Sequence, residues 1–277
     1  MGMHSVSAPD VKRSARQASR SPAAHFLARA GLTARGVIYI LVGSVAVLVA
    51  LGHSSREADQ QGALHLLAGK SYGMVSLWLL AIGFAGYALW RLSVAAFGVT
   101  GEPGDSGTGP RLKSLARAVI YAGLSYLTFT VISGTDRSQR RRQQDITATA
   151  MQHTAGRVLV GVVGLAIVIC GIVLVIEGVR KKFMKYLRTG QMSPRMRQVV
   201  KVLGITGTIA RGLVFALAGV LVVVAAVTHK ASESGGIDKA LQTLRNQPFG
   251  EFLTLAAALG LVIFGVYGLC EARWRKV

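Results

Sequence analysis

The chain has 277 residues, 51% hydrophobic and only 16% charged, with a formal charge of +20. A soluble domain carries about 25% charged residues; here the apolar residues gather into runs long enough to cross a bilayer, about 20 residues each, so a soluble nucleic-acid binder is not the reading of the basic charge. The two cysteines, Cys170 and Cys270, both fall inside apolar runs, which excludes a disulfide framework or a thiolate metal site.

Residues 1–30 are rich in Ser, Ala and Arg with no apolar period and read as a disordered basic cytoplasmic tail. Six apolar segments follow, at about 33–52, 73–97, 115–134, 157–179, 208–228 and 250–271. In lipid only a helix or a closed barrel satisfies every backbone N–H and C=O, and segments of this length are too long for barrel strands. The chain is therefore expected to be an all-α integral membrane protein with six transmembrane helices.

The segments repeat in pairs. Gly31 to Tyr39, with Ala34-Arg35-Gly36-Val37-Ile38-Tyr39, matches Gly207 to Phe215, with Ala210-Arg211-Gly212-Leu213-Val214-Phe215. The middle copy is Ala116-Arg117-Ala118-Val119-Ile120-Tyr121. A second landmark follows the first helix of each outer pair: Ala63-Leu64-x-x-Leu67 runs to Gly73, and Ala240-Leu241-x-x-Leu244 runs to Gly250, ten residues in both cases. The middle copy keeps Gly156 and loses the Ala-Leu pair. This gives hairpin repeats at 31–98, 113–182 and 203–277, separated by a Gly/Pro-rich flexible loop at 99–112 and a basic cytoplasmic loop at 183–202. Three parallel hairpins suit a pseudo-threefold bundle, with an open row as the alternative.

Six spans put both termini on one side. That side holds 22 of the 32 Lys and Arg residues, including nine from Arg180 to Arg211, and the other holds 10. The positive-inside rule then places the termini in the cytoplasm, against the objection of Arg140-Arg141-Arg142 in an outer loop.

The thrice-repeated pair, with Ala34 to Tyr39 opening the first hairpin and Gly86-Tyr87-Ala88-Leu89-Trp90-Arg91 closing it, resembles a bacterial membrane family called domain of unknown function 1206. The resemblance covers about 27–275. It implies three hairpins in a bacterial inner (plasma) membrane and no established activity.

Few polar groups remain to carry function. Arg35, Arg117 and Arg211 recur at one position. Arg35 lies 18 residues before His53, about 27 Å along a helix, which puts the arginines at the inner edge of the bilayer. There they serve as lipid-headgroup contacts or as ion-pair partners of Glu177 and Glu271. His53 and His229 sit at equivalent outer-edge positions, with Asp59 and Asp238 on the same side; their spacing matches no metal-ligand motif, and interfacial histidine is the plainer reading. Small residues such as Ala81/Ala85, Ala118/Ala122, Gly212/Ala216 and Ala256/Gly260 mark faces for close helix packing, within each hairpin or in a homo-oligomer. The run from Arg180 to Lys201 is dense enough to meet anionic lipids at the cytoplasmic face.

There is no nucleophile–base pair, phosphate loop or metal motif, so neither catalytic nor cofactor-binding residues are assigned. The expected role is a non-enzymatic structural, interaction or lipid-associated membrane protein, with the bilayer and a possible membrane-protein partner as its contacts and no nucleic acid. The alternative is a transporter or channel for an ion or small molecule, with a path between the hairpins.

Overall fold

The computed structural model describes residues 22–53, 57–97, 108–135 and 138–275. Six long helices cross: α1 (Pro22–Ala50), α3 (Gly73–Phe97), α4 (Thr108–Ser133), α6 (Thr154–Val179), α7 (Pro194–Thr228) and α9 (Gly250–Trp274). All six are long and apolar enough to span a membrane. Three short helices, α2 (Gln60–Ala68), α5 (Gln139–Ala150) and α8 (Gly236–Arg245), join the halves of each hairpin.

Several boundaries move. Residues 22–30, expected in the tail, are the first turns of α1, because nothing in Pro22 to Ala30 breaks a helix and Pro at the first turn is compatible with one; residues 1–21 lie outside the described residues. The flexible loop loses its end to α4, which starts at Thr108, and its remainder also falls outside the description. The loop at 183–202 is structured: two 3₁₀ turns, Lys182–Tyr186 and Thr189–Gln191, lead to α7, whose Ser193 caps Met196 N–H with Pro194 behind it. At 35 residues α7 is about 52 Å long and continues well beyond a hydrocarbon core of about 30 Å.

The linking helices explain the repeat glycine. A Cβ on Gly73, Gly156 or Gly250 would lie 2.0, 1.7 or 2.0 Å from the carbonyl oxygen of Leu67, Ala150 or Arg245. Each short helix ends with its last carbonyls pressed on the start of the next span, and only glycine leaves room. The middle repeat keeps its glycine for this reason although α5 has lost the apolar pair.

Packed neighbours follow the order α6, α7, α9, α1, α3, α4. The most extensive contacts join different repeats, at α6–α7, α9–α1 and α3–α4, and those inside a repeat, α1–α3 and α7–α9, are lighter. Counted from Gly73, Gly156 and Gly250, the residues fifteen positions on are Ala88, Gly171 and Gly265. Gly171 faces Gly212, and Gly265 faces Gly36, the small residue after each repeat arginine, with backbone in contact with backbone. Their counterparts Ala88 and Ala118 are both buried at the α3–α4 joint. The most extensive small-residue faces therefore seal repeat to repeat, while inside the first and third repeats Gly83 meets Ala34 and Gly260 meets Ala210 at equivalent positions.

The ring is not closed. Among the described residues α4 and α6, the two spans of the middle repeat, make at most marginal contact. They are also the least covered spans: 17% of the α6 window and 33% of the α4 window are buried, against 39–50% in the others. The threefold joints and the open row thus coexist, as an arc of six helices bent around a common axis. The axis is filled by Val45, Leu77, Phe84, Leu261 and Phe264, none more than 3% exposed.

Candidate functional site

The polar groups collect at the two ends of the axis. At the end shared by the termini, Arg35 of α1 donates through Nη2 to Glu271 Oε2 on α9, and Arg275 donates through Nη1 to Oε1 of the same carboxylate. The Arg35 side chain is 16% exposed and that of Glu271 is 8% exposed. Of the sequence candidates, then, Arg35 and Glu271 are brought together.

The repeat does not carry this pair round the ring. Glu271 is 21 residues after Gly250; the same count from Gly156 and Gly73 gives Glu177 and Val94. Arg211 does not take Glu177. It lies over the rings of Phe264, Phe215 and Tyr39 at 4.8, 5.0 and 5.2 Å, a cation–π cage. Glu177 stands half-buried on α6 and forms no ion pair among the described residues. At the α3–α4 joint, where Arg117 of α4 stands, the position that would supply the third acid is Val94. Its side chain is exposed, yet it lies within electrostatic reach of Arg91, Arg275 and Arg35.

The sequence marks Arg91 as the end of the Gly86–Arg91 stretch and as one charge on the side of the termini. In the structure it is 3% exposed, donates Nε–H to the Tyr87 hydroxyl at 3.1 Å, and stacks over Trp90 at 4.5 Å. Its Nη2 is buried with no hydrogen-bond partner among the described residues. The signal was available: Tyr87 and Arg91 are four apart, hence on one helix face, in a stretch singled out for its pattern alone. The Tyr87 hydroxyl sits in the field of four guanidiniums, those of Arg91, Arg275, Arg35 and Arg117. Two of these cations, Arg35 and Arg275, share the Glu271 carboxylate, and Arg91 binds the Tyr87 hydroxyl beside them.

Beneath this cluster the basic loop forms a floor. Leu187 and Met192 are buried in the main core, Phe183 packs edge-on against Tyr267 at 5.2 Å, and Arg188 N–H donates to the Trp274 carbonyl at 2.8 Å. Lys181, Lys182, Lys185, Arg195 and Arg197 face outward. Apolar side chains hold the loop to the bundle and leave a basic surface beside it.

The opposite end is a latch of three loops, one from each repeat. Asp238, 1% exposed, accepts from Ala58 N–H at 2.8 Å, Gln242 Nε2 at 2.9 Å and Arg140 Nη1 at 3.1 Å. Arg140 also lies 3.6 Å from Glu57, which accepts from the Ser138 hydroxyl. Asp59 caps α2 by accepting from Gly62 N–H at 2.9 Å; burial pushes its carboxyl up to about 6, and burial likewise raises that of Asp238. Arg140, which counted against the charge rule, is a structural cation with two acidic partners. Glu57 lies in the first of these connections and Ser138 and Arg140 in the second, so no local spacing in the sequence joins them as a group.

The histidines stand apart. His229 ends α7 in a left-handed turn at φ 60°, with its ring against Arg157, and His53, His65 and His153 are exposed. No three His, Cys, Asp or Glu side chains converge among the described residues. Cys170 and Cys270 are free thiols on α6 and α9.

Three tandem segments of the chain, 30–98, 112–181 and 206–275, match the family described as Domain of Unknown Function (DUF1206). They coincide with the three hairpins. The chain is also similar to the uncharacterized protein YxxB of Bacillus subtilis (strain 168), 30% identical over 251 residues and covering 90% of each chain. No solved structure matches it.

Proposed function

From the premise that the chain belongs to this family of unknown function, we propose that it is a non-enzymatic, lipid-associated protein of the bacterial plasma membrane, with its termini in the cytoplasm. The observation that carries this reading is the contrast between an axis filled by buried apolar side chains and a basic end. Mid-membrane hydroxyls are spent locally: Thr128 donates to the Leu124 carbonyl at 2.7 Å, Ser44 to Ile40 at 2.8 Å, and Ser125 to Ala81 across the α3–α4 joint at 3.0 Å. These hydroxyls are taken up by backbone carbonyls, and a conduit needs polar groups free at depth. The charge count favours cytoplasmic termini, the more so because Arg140 is matched by its own acids.

Purified protein reconstituted in proteoliposomes tests this. Potassium and proton flux, followed with entrapped dyes, is expected to equal that of protein-free vesicles, while co-purified lipid is enriched in anionic species over the bulk membrane. Flux that scales with protein would replace this reading with transport. Lipid of bulk composition would remove its lipid-associated part.

A further inference from the structure

We propose that the arginine cluster at the terminal end is a binding site for one phosphate-class anion, the headgroup of an anionic lipid or a soluble phosphate, reached sideways through the gap between α4 and α6. The inference rests on the lipid-associated reading above and gives it a site.

Charge is the first ground. Arg91 donates to the Tyr87 hydroxyl, Arg35 and Arg275 share Glu271, and Arg117 lies within electrostatic reach of all three; among the described residues Glu271 is the one carboxylate paired with them. Like charges gathered where burial limits solvation repel, so an anion sharing the cluster would relieve a repulsion that Glu271 offsets only in part. The repeat shows that this imbalance is local: the position that supplies Glu271 to Arg35 supplies Val94 to the α3–α4 joint, where Arg117 stands.

Unfilled donors are the second ground. Arg91 Nη2 and Arg35 Nε are buried without a hydrogen-bond partner among the described residues. A buried donor left unmade is costly. Guanidinium forks match phosphate oxygens in a bidentate way that lysine does not.

Access is the third. Of the four arginines Arg117 alone is exposed. It lies on the α4 face that also carries Ser114 and Tyr121, three residues before and four after it, and α4 is one lip of the open arc. The cluster sits at the edge of the hydrocarbon core, where lipid phosphates lie. Acyl chains would rest along the uncovered flank of α6 without a polar group having to cross the bilayer.

Thermal unfolding of the full chain in dodecyl maltoside, titrated with short-chain phosphatidylglycerol, phosphatidylcholine or inorganic phosphate, tests the site. Saturable stabilisation by phosphatidylglycerol at one equivalent is expected. Arg117→Gln, at an exposed position and so able to fold, should weaken it at least tenfold, and Arg117→Lys should recover part. The triple variant Lys182→Gln, Arg195→Gln, Arg197→Gln, which strips charge only from the outer basic surface, should leave it within threefold. Stabilisation by inorganic phosphate with the same Arg117 dependence would support the site with a soluble ligand as its source. Equal stabilisation by phosphatidylcholine, or binding lost in the triple variant and retained in Arg117→Gln, would overturn the site; the latter outcome would leave lipid association intact.

Discussion

Single residues at the two ends of the axis carry opposite electrostatic problems. Glu271 neutralises two largely buried arginines, so Glu271→Gln should destabilise the protein by about 3–5 kcal/mol, the cost of breaking a buried pair by removing one partner. Thermal unfolding in detergent reads this against Arg195→Gln, an exposed change expected to stay within about 0.5 kcal/mol. At the far end the sign differs. Burial holds the Asp59 carboxyl at about 6, whereas an unfolded aspartate releases its proton near ~3.9. Between these values the folded state binds more protons than the unfolded one, so stability falls as pH rises from about 4 to 6 and levels off above. Asp238, raised in the same direction, adds to the slope. Asp59→Asn keeps the cap acceptor and removes the titration. It should flatten that slope and raise stability at pH 7, by on the order of 2 kcal/mol; an unchanged slope in pH-dependent unfolding would put the titrating group elsewhere.

At the scale of helices, the glycines divide by what faces them. A Cβ on Gly171 would stand 2.5 Å from the Ala216 nitrogen and 2.7 Å from the Gly212 oxygen, which are backbone atoms. Gly171→Val must part α6 from α7 and should cost roughly 1–3 kcal/mol. Gly123 on α4 has nothing within 4 Å, and Gly123→Ala should be neutral or slightly stabilising in the same unfolding measurement. The same joint gives a covalent check. Gly161 and Ala226 would bring their Cβ atoms 3.8 Å apart, the usual disulfide separation. Gly161→Cys with Ala226→Cys should oxidise readily, and failure of the pair to form would deny that the second and third repeats meet through these helices.

The whole molecule is an arc, and its opening is the feature most exposed to test. Leu124→Cys on α4, paired with native Cys170 on α6, should resist short-reach crosslinking, because those spans do not pack on each other. Efficient crosslinking would mean a closed ring and would seal the lateral route to the arginine cluster. The latch of Glu57, Arg140 and Asp238 holds the three repeats together at the far end. The gap is therefore bounded there by polar contacts and remains open along the span.

The spans, their pairing and the threefold recurrence were legible in the sequence because lipid enforces them: a run of apolar residues has no other comfortable state, and a repeated joint needs repeated small residues. The Arg35 and Glu271 candidates were legible for the same reason, since charge beside an apolar run is conspicuous. What the sequence could not decide was which partner each charge meets. Equivalent positions predict equivalent pairs, yet Arg211 chose an aromatic cage, the position that would give Arg117 an acid holds Val94, and Arg91 joined the cluster from a second helix of the first repeat. Those outcomes depend on how helices distant in the chain curve round one axis, and on one missing joint, α4 to α6. Local pattern fixes each helix by its own hydrogen bonds and its contact with lipid; only tertiary packing settles where several partly satisfied charges converge.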